Sequence, residues 1–233
     1  MFFPFFDSSM IVLIPAIILT IYAQIKISST FKRYAKIRAA GGYTGAQVAR
    51  RLLDQKGLYD VQIERTQGHL SDHYDPRTKV VRLSEDIYNG TSLAALGVAA
   101  HETGHAVQHD EGYVPFNTRS SIVPVANFGS QIAPWLIMAG FFLGSRAGIL
   151  LDLGIIAFAA VVVFQLVTLP VEFNASSRAL AFLENGGFLV REEVKGARKV
   201  LRAAALTYVA AALTAVLTLV RFLLLANARD GDD

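Results

Sequence analysis

The chain has 233 residues, 53% of them hydrophobic and only 18% charged, against roughly 25% charged in ordinary soluble domains, so the composition points to a membrane. It holds no cysteine, which excludes a disulfide framework and any thiolate metal site and allows a reducing compartment. The net charge of +3 is small and sits beside apolar segments, where it suits an anionic leaflet and argues against nucleic acid as a partner.

In chain order, residues 1–27 contain the first apolar run, 9–27. Nothing basic precedes it and positive charge follows it, the pattern of a signal anchor with its N-terminus outside and not of a cleavable signal peptide. Residues 28–125 are a cytoplasmic region. It opens with a basic helix over 28–40 that stops at Gly41-Gly42. A short helix follows, capped by Thr44 with Gln47 three residues on, carrying an apolar stripe of Val48, Leu52 and Leu53, and ended by Gly57.

From Asp60 the period changes. Val61 and Ile63 alternate with polar residues, 68–74 is extended, Asp75-Pro76-Arg77-Thr78 is a turn, and 79–83 is a second strand, which predicts a small antiparallel sheet with a hairpin. Ser84, or Thr91 and Ser92, then cap a helix over 93–109. Three further apolar runs follow at 126–144, interrupted by Gln131 and Pro134, at 147–170 and at 204–226. With the first run they make about four spans near the ~20 residues needed to cross a bilayer. Residues 126–170 form a helical pair, 171–203 a third-ligand helix with a connecting helix, and 204–233 the last span with an acidic tail.

Basic residues order these spans. Of 22, 13 lie between Lys26 and Arg119 and 6 between Arg178 and Arg202, leaving Arg146, Arg221 and Arg229. The bias of Lys and Arg toward the cytoplasm puts both termini and the turn at 144–148 outside, and Glu172 inside with the 28–125 region. Asp152 and Arg221 then lie near the outer face, Asp152 pairing at the interface close to Arg146 and Arg221 anchoring its span.

The chemistry is concentrated in His101-Glu102-Thr103-Gly104-His105, an HExxH motif. Histidines four apart share a helical face about 6 Å apart along the axis, so both rings can reach one zinc ion at roughly 2.0–2.1 Å. Glu102, beside the first of them, can take a proton from the attacking water and pass it to the leaving amine. Gly104 and Gly97 permit close helix packing.

A third ligand is needed, and several residues compete. His109 stands about 12 Å from His101 along an unbroken helix, too far to share its ion. Glu111 occupies the place of a third metzincin histidine but lies past the helix end, where a solvated role is commoner. His69 and His73 fall in the presumed hairpin. Glu172 is the better candidate, because a carboxylate next to an apolar span is costly unless paired or bound to a cation. A helix N-terminal carboxylate is the competing reading of Glu172.

These residues resemble a family. The segments at 96–105 (Leu-Gly-Val-Ala-Ala-His-Glu-Thr-Gly-His), 70–76 (Leu-Ser-Asp-His-Tyr-Asp-Pro), 168–176 and 203–211 look like those of the YugP-type membrane zinc metallopeptidases. More distantly they are similar to the HtpX-type membrane gluzincins, where a second helix after membrane spans carries a glutamate ligand. The resemblance makes Glu172 the third ligand of one zinc ion. It departs from gluzincins at Ser176, where an acidic residue is usual, so Ser176 or Asn174 would orient an imidazole instead. Arg178 is a candidate oxyanion stabiliser, or else meets solvent and headgroups. In related proteases a substrate peptide pairs with an exposed sheet edge, a part that falls in this chain to Lys79, Val80, Val81, Arg82 and Leu83; charged Lys79 and Arg82 equally suit an ordinary protected edge.

The expectation is an α-helical membrane protein with a gluzincin-like α+β catalytic unit: a zinc endopeptidase of a bacterial cell membrane, facing the cytoplasm, acting on membrane or membrane-proximal proteins. A zinc-binding scaffold or chaperone-like partner without turnover is the alternative. A metal transporter fits less well, since His101 and His105 lie outside the apolar runs.

Overall fold

A computed structural model describes residues 8–68, 71–143 and 148–230, the side chains of Ser8, Arg229 and Asp230 apart. His69, the turn with Arg146 and the acidic tail therefore lie outside the described residues, as does any pairing of Arg146 with Asp152. Helix α1 is Ile14–Tyr34, preceded by a tight helical turn, Ser8–Leu13, and α2 is Gly45–Gln55. Strands β1 (Gln62–Thr66), β2 (His73–Asp75) and β3 (Val80–Ser84) follow. Then come α3 (Glu85–Tyr88), α4 (Leu93–Asp110), α5 (Val114–Phe142), α6 (Gly148–Asn185) and α7 (Arg191–Asp230).

Four helical stretches are long and apolar enough to cross a membrane: Ser9–Tyr34, Val114–Phe142, Gly148–Asn185 and Arg191–Ala228. No more than 22% of the apolar window of any of them is buried inside the protein. Residues such as Ile11, Ile18, Phe128, Ile149 and Ile156 stand exposed, an apolar surface far beyond what water tolerates. Pro124 and Pro134 lie inside α5 and Pro170 inside α6, as membrane helices allow.

The chain divides into two compact units. One comprises Met1–Tyr22, Thr118–Leu169 and Tyr208–Asp233. It has a small core of Ala133, Ile137 and Leu151 against partly buried residues including Phe158 and Phe222. Arg221, expected as an interfacial anchor, is instead buried in this unit, its Nε donating to Ser9 Oγ at 3.0 Å; a guanidinium inside an apolar unit needs such a partner. Asp152 is exposed.

The other unit, Ala23–Asn117 with Pro170–Thr207, holds the larger core. The α2 capping box forms as the sequence predicts, Thr44 accepting from the Gln47 N–H and Gln47 from the Thr44 N–H. Val48, Leu52 and Leu53 are buried on its apolar face, and Gly57 takes the left-handed backbone (φ 75°) that stops it. Of the predicted caps for the 93–109 helix, Ser92 accepts from Ala95 N–H at the start of α4, whereas Ser84 precedes the separate short α3 and makes no side-chain cap bond.

Three expectations are corrected. The basic helix ends at Tyr34 and not at residue 40. Beyond it the backbone pairs with the chain before α4 (Ala39 N–H to Thr91 O, Leu93 N–H to Ile37 O), and helix and bridge compete for the same groups. No break occurs at Pro170, so Glu172 is mid-helix and not at a helix N-terminus. Packing holds α6 together past the proline, since Val171, Ala175, Ala179 and Leu183 form a fully buried stripe at four-residue intervals. Finally, the sheet is mixed. Its order is β1-β3-β2, with β3 antiparallel to β2 but parallel to β1 (Gln62 opposite Val80, Thr66 opposite Ser84). After β1 the chain skips one place, lays down β2 and returns β3 into the gap. Lys79–Leu83, assigned as a substrate-binding edge, thus falls on the sheet's central strand, and four of the five β3 residues are buried; the outer strands are β1 and β2.

Candidate metal centre

Helix α4 carries the motif and is buried on nearly every side, with Leu93, Leu96, Ala99, Ala100, Ala106 and Val107 among its core residues. Its small residues allow close approach. A Cβ on Gly104 would stand 2.9 Å from the Ala175 carbonyl oxygen, so the backbones of α4 and α6 meet at this point. Three residues before Ala175 on α6 is Glu172.

His101, His105 and Glu172 converge, their ligand atoms all within 4.8 Å of one another. His101 Nε2 is 3.1 Å and His105 Nε2 3.6 Å from Glu172 Oε2, with the two rings edge to face at 4.8 Å between centroids. The other nitrogens are engaged. His105 Nδ1 meets Gln108 Oε1 at 2.9 Å, and His101 Nδ1 meets Ser176 Oγ at 3.2 Å. An Nδ1–H given to each oxygen leaves both Nε2 lone pairs facing the carboxylate. Two imidazoles and one carboxylate, with no sulfur, are a donor set that zinc takes in catalytic sites with one position left open. The residues present fit the ion.

Glu102 is buried, with 8% of its surface exposed. Burial pushes its carboxyl up to about 7 and the Glu172 charge adds to this, while a hydrogen bond from the Tyr74 backbone favours ionisation. A carboxyl poised near neutrality suits proton transfer in both directions.

The remaining candidates form supports around these groups. Asn174 does not reach an imidazole. Its Oδ1 accepts from Gln108 Nε2 at 2.9 Å and from Arg178 Nε at 2.7 Å, and Arg178 is paired with Glu111 at 2.6 Å. A chain of contacts therefore runs Glu111, Arg178, Asn174, Gln108, His105. Glu111 and Arg178 lie at the far end of it, not at the ligand atoms. His109 hydrogen-bonds the Tyr74 hydroxyl at 2.9 Å, tying β2 to α4, and His73 Nδ1 meets Ser71 O. Asp72 accepts from the Ser84 N–H and hydroxyl and fixes the segment before β2.

Gln108 was missed in the sequence. It is fully buried and also donates to Val171 O at 2.8 Å. The available signal was its place three residues after His105, on the same helical face.

Comparisons with known proteins identify the family of the chain. The sequence model of a family described as "Putative neutral zinc metallopeptidase" matches residues 9–227. The chain is 53% identical over 218 residues to "Putative membrane protease YugP" of Bacillus subtilis (strain 168), covering 93% of this chain and 96% of that one. No solved structure matches.

Proposed function

Because the chain belongs to this family of neutral zinc metallopeptidases and is a multi-pass membrane protein, we propose that it is a membrane-embedded zinc endopeptidase of the gluzincin type. His101, His105 and Glu172 would hold the ion, and Glu102 would act as general base. The observation that carries the reading is the convergence of His101, His105 and Glu172, the latter two buried, next to buried Glu102.

When bound, zinc supplies Lewis acidity toward a peptide carbonyl and an attacking water. Ser176 and Gln108 orient the two imidazoles through Nδ1. The Glu102 carboxylate accepts the proton that water loses on attack and donates it to the amine nitrogen as the peptide bond breaks. The Tyr74 backbone keeps that carboxylate directed while β2 closes over α4. Substrates would be membrane or membrane-proximal proteins on the cytoplasmic side, the side that the Lys and Arg distribution assigns to the 28–125 region.

The test compares wild type with Glu102→Gln, measuring zinc content and cleavage of casein or a membrane substrate by the purified protein. The variant should keep one zinc per chain and lose at least ~10²-fold in turnover. Undiminished biological activity in Glu102→Gln would favour the non-catalytic scaffold.

A further inference from the structure

Away from the metal centre, α1 and α7 enclose a cleft of about 560 Å³. Lys26 and Arg33 line it from α1 and Lys199 and Arg202 from α7, together with Ser29 and Thr30. No carboxylate lines it. Among the described residues none of these four cations has an ion-pair partner, although Arg50, Arg65, Lys79, Arg82, Arg178 and Lys195 all do. The pattern is built by helical spacing: Lys26, Thr30 and Arg33 share one face of α1, and Lys199 and Arg202 one face of α7. Four like charges around one hollow repel each other, a cost that an anion in the hollow reverses.

The position in each helix identifies the anion. From residue 8 to residue 25 the chain has no charged side chain, and none occurs again from 203 to 220. Both helices therefore pass from charged to apolar at this cleft. Ile25, beside Lys26, is 64% exposed, and Ala203 and Leu206 supply an apolar wall. Cations beside hydroxyls at the end of an apolar span, with apolar surface adjoining, match the junction of a lipid phosphate with its acyl chains. We propose that this cleft binds the phosphate-bearing headgroup of an anionic membrane lipid, the cations and Thr30 holding the phosphate and the apolar wall holding the start of the chains. The site is separate from the peptidase reading and does not depend on it.

The experiment titrates the full-length protein, purified in neutral detergent, with phosphatidylglycerol or phosphatidylcholine and counts bound lipid by native mass spectrometry. Arg33→Gln/Arg202→Gln is compared with Lys32→Gln/Arg198→Gln, which removes the same charge from the same helices outside the cleft. Phosphatidylglycerol should bind wild type and the control pair alike and the cleft variant on the order of 10-fold more weakly. Phosphatidylcholine should bind more weakly than phosphatidylglycerol, and excess inorganic phosphate should leave the lipid in place. Equal losses in the two variants, no loss in either, or displacement by inorganic phosphate would each overturn the proposal. Wild type alone supplies a measurement free of folding effects: phosphatidylglycerol binding should weaken as salt is raised, and salt-independent binding would also overturn it.

Discussion

The imidazoles of His101 and His105 are each held at Nδ1 by a neutral side chain, Ser176 for His101 and Gln108 for His105. A neutral acceptor fixes a ring without adding charge, so Glu172 is the single carboxylate of the converging trio, and burial, with the Glu172 charge adding to it, holds Glu102 near 7. Gln108 carries the more connected of the two contacts, because its amide also joins Val171 O and Asn174 on α6. Gln108→Leu keeps the volume and removes all three bonds. It should weaken zinc binding roughly 10- to 100-fold in a chelator competition, the usual cost of losing a partner behind a ligand. Unchanged affinity would mean that packing against Phe116, 6.1 Å away between ring centroids, orients His105 by itself.

At the scale of elements, the meeting of α4 with α6 decides whether Glu172 reaches the histidines. Gly104→Ala sets two effects against each other. Alanine gains up to ~1 kcal/mol of helix propensity, but its methyl would press on the Ala175 backbone at 2.9 Å, and overpacking a rigid backbone costs about 1–3 kcal/mol. The clash should win, lowering both the melting temperature in detergent and zinc retention; a more stable variant would show that α6 yields easily. The β2–β3 turn has a pH signature of its own. Asp75 is held down to about 2, from an ordinary 3.8, by the Thr78 hydroxyl first, then the Arg77 N–H and Arg82, against a burial effect that raises it. Its contribution to stability is complete above about 3.8 and is lost as pH falls toward 2. Asp75→Asn should therefore melt lower than wild type at neutral pH, and the gap should narrow below pH ~4 in thermal scans. The turn, the capping box on α2 and the α4 motif could all be read from sequence because each depends on residues within a few positions of one another. The parallel pairing of β1 with β3, the end of α1 at Tyr34 and the passage of α6 through Pro170 could not. Each is decided by partners far along the chain: β3 for β1, residues 91–93 for the stretch after α1, and the packed Val171–Ala175–Ala179 stripe for α6.

For the whole molecule, the four apolar helices were legible because hydropathy over ~20 residues needs no knowledge of packing. Glu172 was legible because a carboxylate just past such a run demands a partner. The buried setting of Arg221 was not, since an arginine near a span end reads as an anchor until its contact with Ser9 is seen. Which face of the membrane holds the centre rests on charge alone, and the chain is suited to a direct test because it contains no cysteine. Single cysteines at Tyr59 or Glu184 should react with a membrane-impermeant maleimide only after the membrane is opened, whereas one at Leu143 should react in intact cells. All three positions are exposed, Tyr59 by 75% and Leu143 by 64%, so lack of labelling would reflect the membrane and not burial. The reverse pattern would place His101 and His105 outside, where 13 basic residues between Lys26 and Arg119 would oppose the charge bias. It would also exclude cytoplasmic proteins as substrates, because His101, His105 and Glu172 belong to the same compact unit as Tyr59 and Glu184.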